Sequence, residues 1–263
     1  MYFSTCSSAV SFSDLLELAR LAATKAGDFV NQRPESFDLN IKTNARDFAT
    51  QMDIASEKMI VETILAARPD DGIIGEEGGA RDSKSGYTWV IDPIDGTVNY
   101  FYGLPAWNVS VAVKDKDGVV AGVVYSPTVN ALFTATRGGG AFFNGKKIHC
   151  NDPVDLKDAL VGTGFSYDLE IRKEQGAFAA SLLLKTREIR RMGAAALDLC
   201  FVGAGLLDAF YENGLNEWDL AAGGLVAREA GAIITGRNGG EPSKAMTIAA
   251  GPHLHAQLVA EIG

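Results

Sequence analysis

The sequence predicts a layered α/β fold, and three features of its patterning predict it. Helical and strand-like apolar periodicities alternate along most of the chain. The middle reads as a run of antiparallel hairpins, and no linker, repeat or low-complexity stretch breaks the pattern. At 263 residues, one domain over 1–263 is expected, with possible subdomains at about 1–150 and 151–263.

The elements follow in order. A first helix is read from Ser13 or Asp14, where a start signal precedes Leu15, Leu18, Leu21, Ala22 and Phe29 at helical spacing. A second runs from about Ala49 to Ala67, with Ile54, Met59, Ile60 and Ile64 inward and Pro69 beyond its end. Gly72–Gly75 and Thr88–Ile91 are short, apolar and bounded by turn residues, as buried strands are. Asp92 is expected to end the second of these, because Pro93 cannot donate to a ladder. From Asn108 to Phe143 the text is antiparallel β, with turns at Asp117-Gly118 and, beyond it, Asn144-Gly145. Gly138-Gly139-Gly140 lacks the strand and helix context of a dinucleotide loop and reads as a plain loop. Helices are then expected near Glu174–Leu184, Ala195–Val202, Asp219–Ala230 and Pro252–Ile262. Strands are expected at Glu188–Arg190, Leu207–Tyr211 and around Ile233 and Ile248.

Composition narrows the function. The formal net charge of −9 argues against a broad nucleic-acid face, which runs on clustered Lys and Arg. Taken naively, it also argues against an anionic substrate. Arg187, Arg190 and Arg191 cluster modestly and read as a solvated strand edge. Cys6, Cys150 and Cys200 are odd in number and lack CxxC spacing, so they read as free thiols in a reducing compartment. Met1–Phe12 has neither a basic leader nor a sustained apolar run, and no stretch approaches ~18 apolar residues. A cytoplasmic chain with no membrane partner is expected. The three histidines, His149, His253 and His255, read as surface or structural residues.

The chemistry is expected where acids stand at strand ends. In Trp89-Val90-Ile91-Asp92-Pro93-Ile94-Asp95-Gly96-Thr97, a tight turn would aim Asp92, Asp95 and the Ile94 carbonyl to one side. Gly96 and Thr97 then offer backbone N–H groups suited to a phosphate. Glu76-Glu77 directly follows the other apolar strand, and strand ends of this kind gather at one sheet edge. Two carboxylates ~4 Å apart repel by roughly 4 kcal/mol at an effective dielectric of 20. Such a cluster must hold protons or cations, and oxygen-only ligands favour Mg2+ over zinc. Downstream, Asp219 stands at a helix start; without the other acids it would read as an N-cap, but the small residues after it suggest backbone packed close behind a site.

Glu76-Glu77, Asp92-Pro93-Ile94-Asp95-Gly96-Thr97 and Trp218-Asp219-Leu220-Ala221-Ala222-Gly223 together resemble the three signatures of the inositol monophosphatase family. This is a Mg2+-dependent, lithium-sensitive phosphatase superfamily. The resemblance implies a five-layer αβαβα sandwich, a catalytic domain spanning the chain and a homodimer. It implies hydrolysis of a small phosphate monoester, myo-inositol monophosphate first. Fructose-1,6-bisphosphatase, 3′(2′),5′-bisphosphate nucleotidase and histidinol-phosphatase activities are alternatives, and a partner-binding regulatory role is an alternative of another class. Glu76, Asp92 and the Ile94 carbonyl match ligands of a first metal; Asp92, Asp95 and Asp219 match those of a second. A third, weaker metal leans on Glu76. Thr97 and Asp53 match the pair that orients the attacking water, and Lys42, Asp47 and Thr50 fit the segment before it. Gly96 and Thr97 match the phosphate seat. Gly193, Ala194, Ala195 and Glu212 match positions holding inositol hydroxyls, with Asp95 and Asp219 also facing the substrate. Ala194 departs from the usual Ser or Thr, and Glu217 from a common Pro.

With two or three Mg2+ in the pocket, the acidic balance no longer opposes an anionic substrate. The expectation becomes narrower: substrate affinity should collapse without Mg2+.

Overall fold

A computed structural model describes residues 10–262; the expectation for Cys6 lies outside the described residues. Ser11 caps helix α1 (Phe12–Val30), its hydroxyl accepting from Asp14 N at 3.1 Å. The helix therefore begins before the Ser13–Asp14 pair read as its start. Its buried stripe is made largely of small residues, including Ala19, Ala22, Ala23 and Ala26. Leu21, expected inward, is 54% exposed because it lies off that stripe. A hairpin that periodicity does not announce follows, β1 (Leu39–Asn44) and β2 (Asp47–Thr50). Nearly all of β1 is exposed, so no alternation marks it. Helix α2 (Gln51–Ala67) buries Ile60 and Ile64 as expected, but Ile54 is exposed and Met59 half-buried. Asp53, Ser56 and Glu57 take the inward face at its N-terminal half.

Strands β3 (Gly72–Gly75), β4 (Ala80–Arg81) and β5 (Thr88–Asp95) lead to a short helix, α3 (Thr97–Tyr102). Then come β6 (Asn108–Asp115), β7 (Gly118–Ser126), β8 (Ala131–Thr136), β9 (Gly140–Phe143) and β10 (Lys146–Lys147). They form an eight-stranded sheet in the order β10-β9-β8-β7-β6-β5-β3-β4. The two hairpin turns fall where the sequence placed them, with positive φ at Gly118, Asn144 and Gly145. Pro93 does not end the pairing. β5 continues to Asp95 against β6, and the register slips between Asp92 and Asp95; a bulge absorbs the missing N–H.

The second half holds β11 (Leu160–Thr163), α4 (Leu169–Leu183), β12 (Glu188–Arg190), α5 (Ala195–Gly203) and β13 (Ala209–Glu212). It ends with α6 (Glu217–Glu229), β14 (Ile233–Thr235), β15 (Thr247–Ala250) and α7 (Pro252–Ile262). Its five strands run in the order β12-β11-β13-β15-β14. Helix α4 starts at Leu169 rather than near Glu174, because Asp168 caps it by accepting from Glu170 N and Ile171 N. Helix α6 starts at Glu217 with Asn216 as its cap, so Asp219 is the third helical residue and not the cap itself.

Helices α1 and α2 cover one face of the larger sheet, α5 and α6 lie between the sheets, and α4 and α7 cover the smaller sheet. Four buried apolar clusters fill the four interfaces between these layers, which is the αβαβα order expected. Strand β5 shows why its residues are apolar on both sides: Trp89 and Ile91 face α1 and α2, whereas Val90 faces α5 and α6. Each fully buried aliphatic side chain here contributes roughly 1.5–3 kcal/mol. The small residues after Asp219 have a packing reason, since a Cβ on Gly223 would meet the Ala196 backbone. Helices α5 and α6 can therefore lie close together behind the site.

Candidate active site

The site begins with strand register. Strand β3 pairs parallel to β5 with Gly75 opposite Ile91, so the next residues, Glu76 and Asp92, emerge side by side. Glu76 N donates to Ile91 O at 3.2 Å, fixing that step. At the bulge, Ile94 N donates to Asp92 Oδ1 at 3.1 Å. The backbone then turns through Gly96, whose φ of 90° only glycine adopts at low cost. Thr97 follows at the start of α3, its hydroxyl 3.0 Å from Ile94 O and 3.1 Å from Asp53 Oδ1.

Three helices bring the remaining groups. Asp53, third residue of α2, accepts from Thr50 N at 2.7 Å and Thr50 Oγ1 at 2.6 Å. Asp95 accepts from Asn108 Nδ2 at 2.7 Å and from Ala195 N and Ala196 N, at 3.1 and 2.8 Å, in the first turn of α5. That turn suits an anion because its amides lack helical partners. Asp219 accepts from Asn216 N at 2.6 Å. Lys42 of β1 reaches across to Glu76 at 2.8 Å and Glu77 at 2.5 Å.

Glu76, Asp92, Ile94, Asp95, Gly96, Thr97, Gly193, Ala195, Glu212 and Asp219 all line one cavity of about 370 Å³. Asp53 lies just behind it, buried and reached through Thr97. Ala194 is 1% exposed and sits behind the lining, so its side chain is not at the surface of the cavity. Lys42, Asp47, Tyr167, Arg191 and Lys244 also line it. The strand-edge expectation fails for Arg191, which lines the cavity. Arg191 follows the last residue of edge strand β12, where the chain leaves the sheet and turns toward Gly193. Of the three histidines none lines the cavity, and His255 bonds Thr235 at 2.9 Å.

Burial dominates the electrostatics. It raises Asp92 well above the usual carboxylate range, and the charges of Glu76, Asp95 and Asp219 add to the effect. Asp219 is raised for the same reasons, burial first and Asp95 next. Burial pushes Asp53 up to about 6 against the hydrogen bonds from Thr50, and Asp95 up to about 6 against those from Asn108 and Ala196. Glu212 reaches about 8 through burial, with Arg191 opposing. Lys42 is raised because Glu76 and Glu77 outweigh its own desolvation.

These carboxylates cannot all be charged and bare. Among the described residues no three His, Cys, Asp or Glu side chains already converge as a closed metal cage. Glu76 leans on Lys42, and Asp95 and Asp219 spend oxygens on backbone N–H groups. The donor chemistry still fits a hard divalent cation, because the acids at this cavity offer oxygen alone and burial penalises their repulsion. Glu76 contributes to both the electrostatics and the closure of the cage, because its charge helps raise Asp92 and its carboxylate is held by Lys42.

A family model for the inositol monophosphatase family matches residues 12–263. Nus factor SuhB of Pasteurella multocida is 39% identical, over 94% of this chain and 95% of that protein. Inositol-1-monophosphatase of Mycobacterium leprae is 39% identical, over 93% and 92%. The crystal structure of extragenic suppressor protein SuhB from Bartonella henselae superposes with a TM-score of 0.90 at 34% identity, over 95% of this chain and 98% of that one.

Proposed function

The chain belongs to the inositol monophosphatase family, and we propose that it hydrolyses a small phosphate monoester with Mg2+, myo-inositol monophosphate first. The observation that carries this reading is the pairing of β3 with β5, which sets Glu76 beside Asp92 on a cavity that Asp95 and Asp219 also line.

In this reading Glu76, Asp92, Asp95, Asp219 and the Ile94 carbonyl hold two or three Mg2+. Bound there, Mg2+ would screen the ester's charge, acidify a water and stabilise the leaving oxygen. The chain's own groups do the rest. Thr97 accepts the attacking water's proton at its hydroxyl oxygen while giving its own to Asp53, 3.1 Å away. Burial raises Asp53 above the usual carboxylate range, which suits it to take that proton. The amides of Gly96 and Thr97 receive phosphate oxygens. Gly193, Ala195, Glu212 and Asp219 hold the sugar hydroxyls, with Ala194 supporting the turn from behind. Arg191 and Lys244 supply positive charge around the anionic ester. The assembly is proposed to be a homodimer, which sedimentation would test.

The test is phosphate release from four substrates: inositol monophosphate, fructose 1,6-bisphosphate, a 3′,5′-bisphosphonucleoside and histidinol phosphate. Inositol monophosphate should be turned over with the highest kcat/KM. Glu212→Ala should raise its KM about tenfold, by loss of one buried hydrogen bond, and leave a generic phosphomonoester unaffected. A parallel loss on both would assign Glu212 to structure.

A second reading has its own support, because the Pasteurella relative is named a Nus factor. A protein-binding role beside catalysis would survive in a catalytically dead Asp92→Asn chain. Loss of that binding together with activity would argue against it.

A further inference from the structure

A further carboxylate near the site does not line the cavity. Glu57, on α2, is 5% exposed, and both its oxygens are used on one loop. Oε2 accepts from Glu77 N at 2.8 Å and Oε1 from Gly79 N at 2.8 Å. We propose that Glu57 is a positioning residue: it sets the Gly75–Gly79 loop, and through it Glu76, so that α2 aligns both acidic strand ends for metal binding. This rests on the reading of Glu76 as a Mg2+ ligand.

Two observations separate this from an incidental contact. The loop is shaped around the carboxylate, since a Cβ on either Gly75 or Gly79 would run into it. Neither glycine has a positive φ, so clearance and not backbone conformation calls for glycine there. The loop is closed on itself by Gly75 N donating to Gly79 O at 2.7 Å. Glu76 therefore sits in a five-residue turn whose third and fifth residues, Glu77 and Gly79, are tied to one side chain.

The second observation lies on the helix. Asp53, Ser56 and Glu57 fall at i, i+3 and i+4, on one face of α2. Asp53 meets Thr97 at 3.1 Å, Ser56 Oγ donates to Pro93 O at 3.1 Å, and Glu57 holds the neighbouring loop. One rigid element thus grips the β5 bulge that carries Asp92 and Asp95 and the β3 loop that carries Glu76. A carboxylate is the side chain for this task because two N–H donors converge on it. Glutamine offers one acceptor oxygen and would turn its NH2 toward the other donor.

The test uses the full chain, with Mg2+ itself as the probe. The variants are Glu57→Gln, Gly79→Ala and, as a stability control in the core of the same helix, Ile60→Val. Two quantities are read: half-saturating Mg2+ in phosphate release, and the rise in Tm when Mg2+ is added to metal-free protein. Glu57→Gln and Gly79→Ala should each raise half-saturating Mg2+ about tenfold, as outer-shell changes do. They should shrink the Mg2+-induced rise in Tm and leave kcat at saturating Mg2+ within about threefold of wild type. Ile60→Val should lower the metal-free Tm and change neither Mg2+ response. A wild-type response in both Glu57→Gln and Gly79→Ala overturns the inference, as does a shifted response in Ile60→Val of equal size. Glu76→Gln separates the layers of the reading. If it loses the Mg2+ response while Glu57→Gln keeps it, the role of Glu57 alone falls. If Glu76→Gln keeps the response, the metal reading falls and this inference with it.

Discussion

Helices α2 and α6 each carry an aspartate as their third residue, and each aspartate reaches back to the backbone of its cap. Asp53 Oδ2 accepts from Thr50 N at 2.7 Å, and Asp219 Oδ2 from Asn216 N at 2.6 Å. The two differ in what the other oxygen meets. Asp53 Oδ1 accepts from Thr97 Oγ1, whereas among the described residues no donor meets Asp219 Oδ1 and the side chain lines the cavity. The same local device is closed at one helix and open at the other. A capped acid bonded to a hydroxyl suits proton transfer; a capped acid facing other acids suits a cation. Function at these positions is set by the opposite wall of the site, not by the cap.

Removing the charge of the α6 aspartate, or the hydroxyl that meets the α2 aspartate, should break the comparison most visibly. Asp219→Asn keeps an acceptor for Asn216 N but removes a charge from the cluster, so kcat should fall about 10³-fold and the Mg2+-induced rise in Tm should shrink. The metal-free protein should be as stable as wild type or more so, because burial and the charges of Asp95 and Glu76 already disfavour the ionised acid there. A metal-free Tm well below wild type would assign Asp219 to the cap alone. Thr97→Val should cost less, about 10²-fold in kcat, while Mg2+ binding by calorimetry stays unchanged. An equal loss of Mg2+ affinity would move Thr97 from the proton path to the metal site.

The smallest effect is on stability against pH. Burial raises Asp53 and Asp95 to about 6, Glu77 to about 7 and Glu212 to about 8 in the folded chain. A carboxylate raised on folding holds its proton more tightly in the native state. Its stabilising contribution is complete below the ordinary carboxylate range and is lost as pH rises through the folded value. Metal-free protein should therefore be more stable at pH 5 than at pH 8, by a Tm difference on the order of 5 °C. Mg2+ should flatten that slope, since it replaces protons in the cluster. A metal-free Tm that rises between pH 5 and pH 8 would show that other groups control the balance.

The β3–β5 half of the site was legible in the sequence, because acids standing directly after short apolar runs have few structural reasons to be there. The order of helices and strands was legible for the same reason: periods of 3.6 and 2 are written by burial. The inward face of α2 was not. It is polar at Asp53, Ser56 and Glu57, so hydrophobic periodicity pointed to Ile54 and Met59, and Glu57 looked like any helical glutamate. Asp219 taken alone resembles a cap, because the start of α6 depends on Asn216, whose role only the backbone reveals. Arg191 was hidden among neighbouring arginines, since a side chain's direction at the end of an edge strand does not follow from composition. Lys244 comes from a loop with no pattern at all and reaches the cavity only through the fold.

The acids that follow β3, end β5 and open α6 should hydrolyse phosphate esters only when Mg2+ is present. Phosphate release from inositol monophosphate by wild type and Asp92→Asn, with Mg2+ and after chelation, tests it most directly. Wild type should stop on chelation and recover when Mg2+ returns, while Asp92→Asn should stay about 10³-fold slower with an unchanged circular dichroism spectrum. Turnover indifferent to chelation, or an Asp92→Asn protein near wild-type rate at saturating Mg2+, would contradict it.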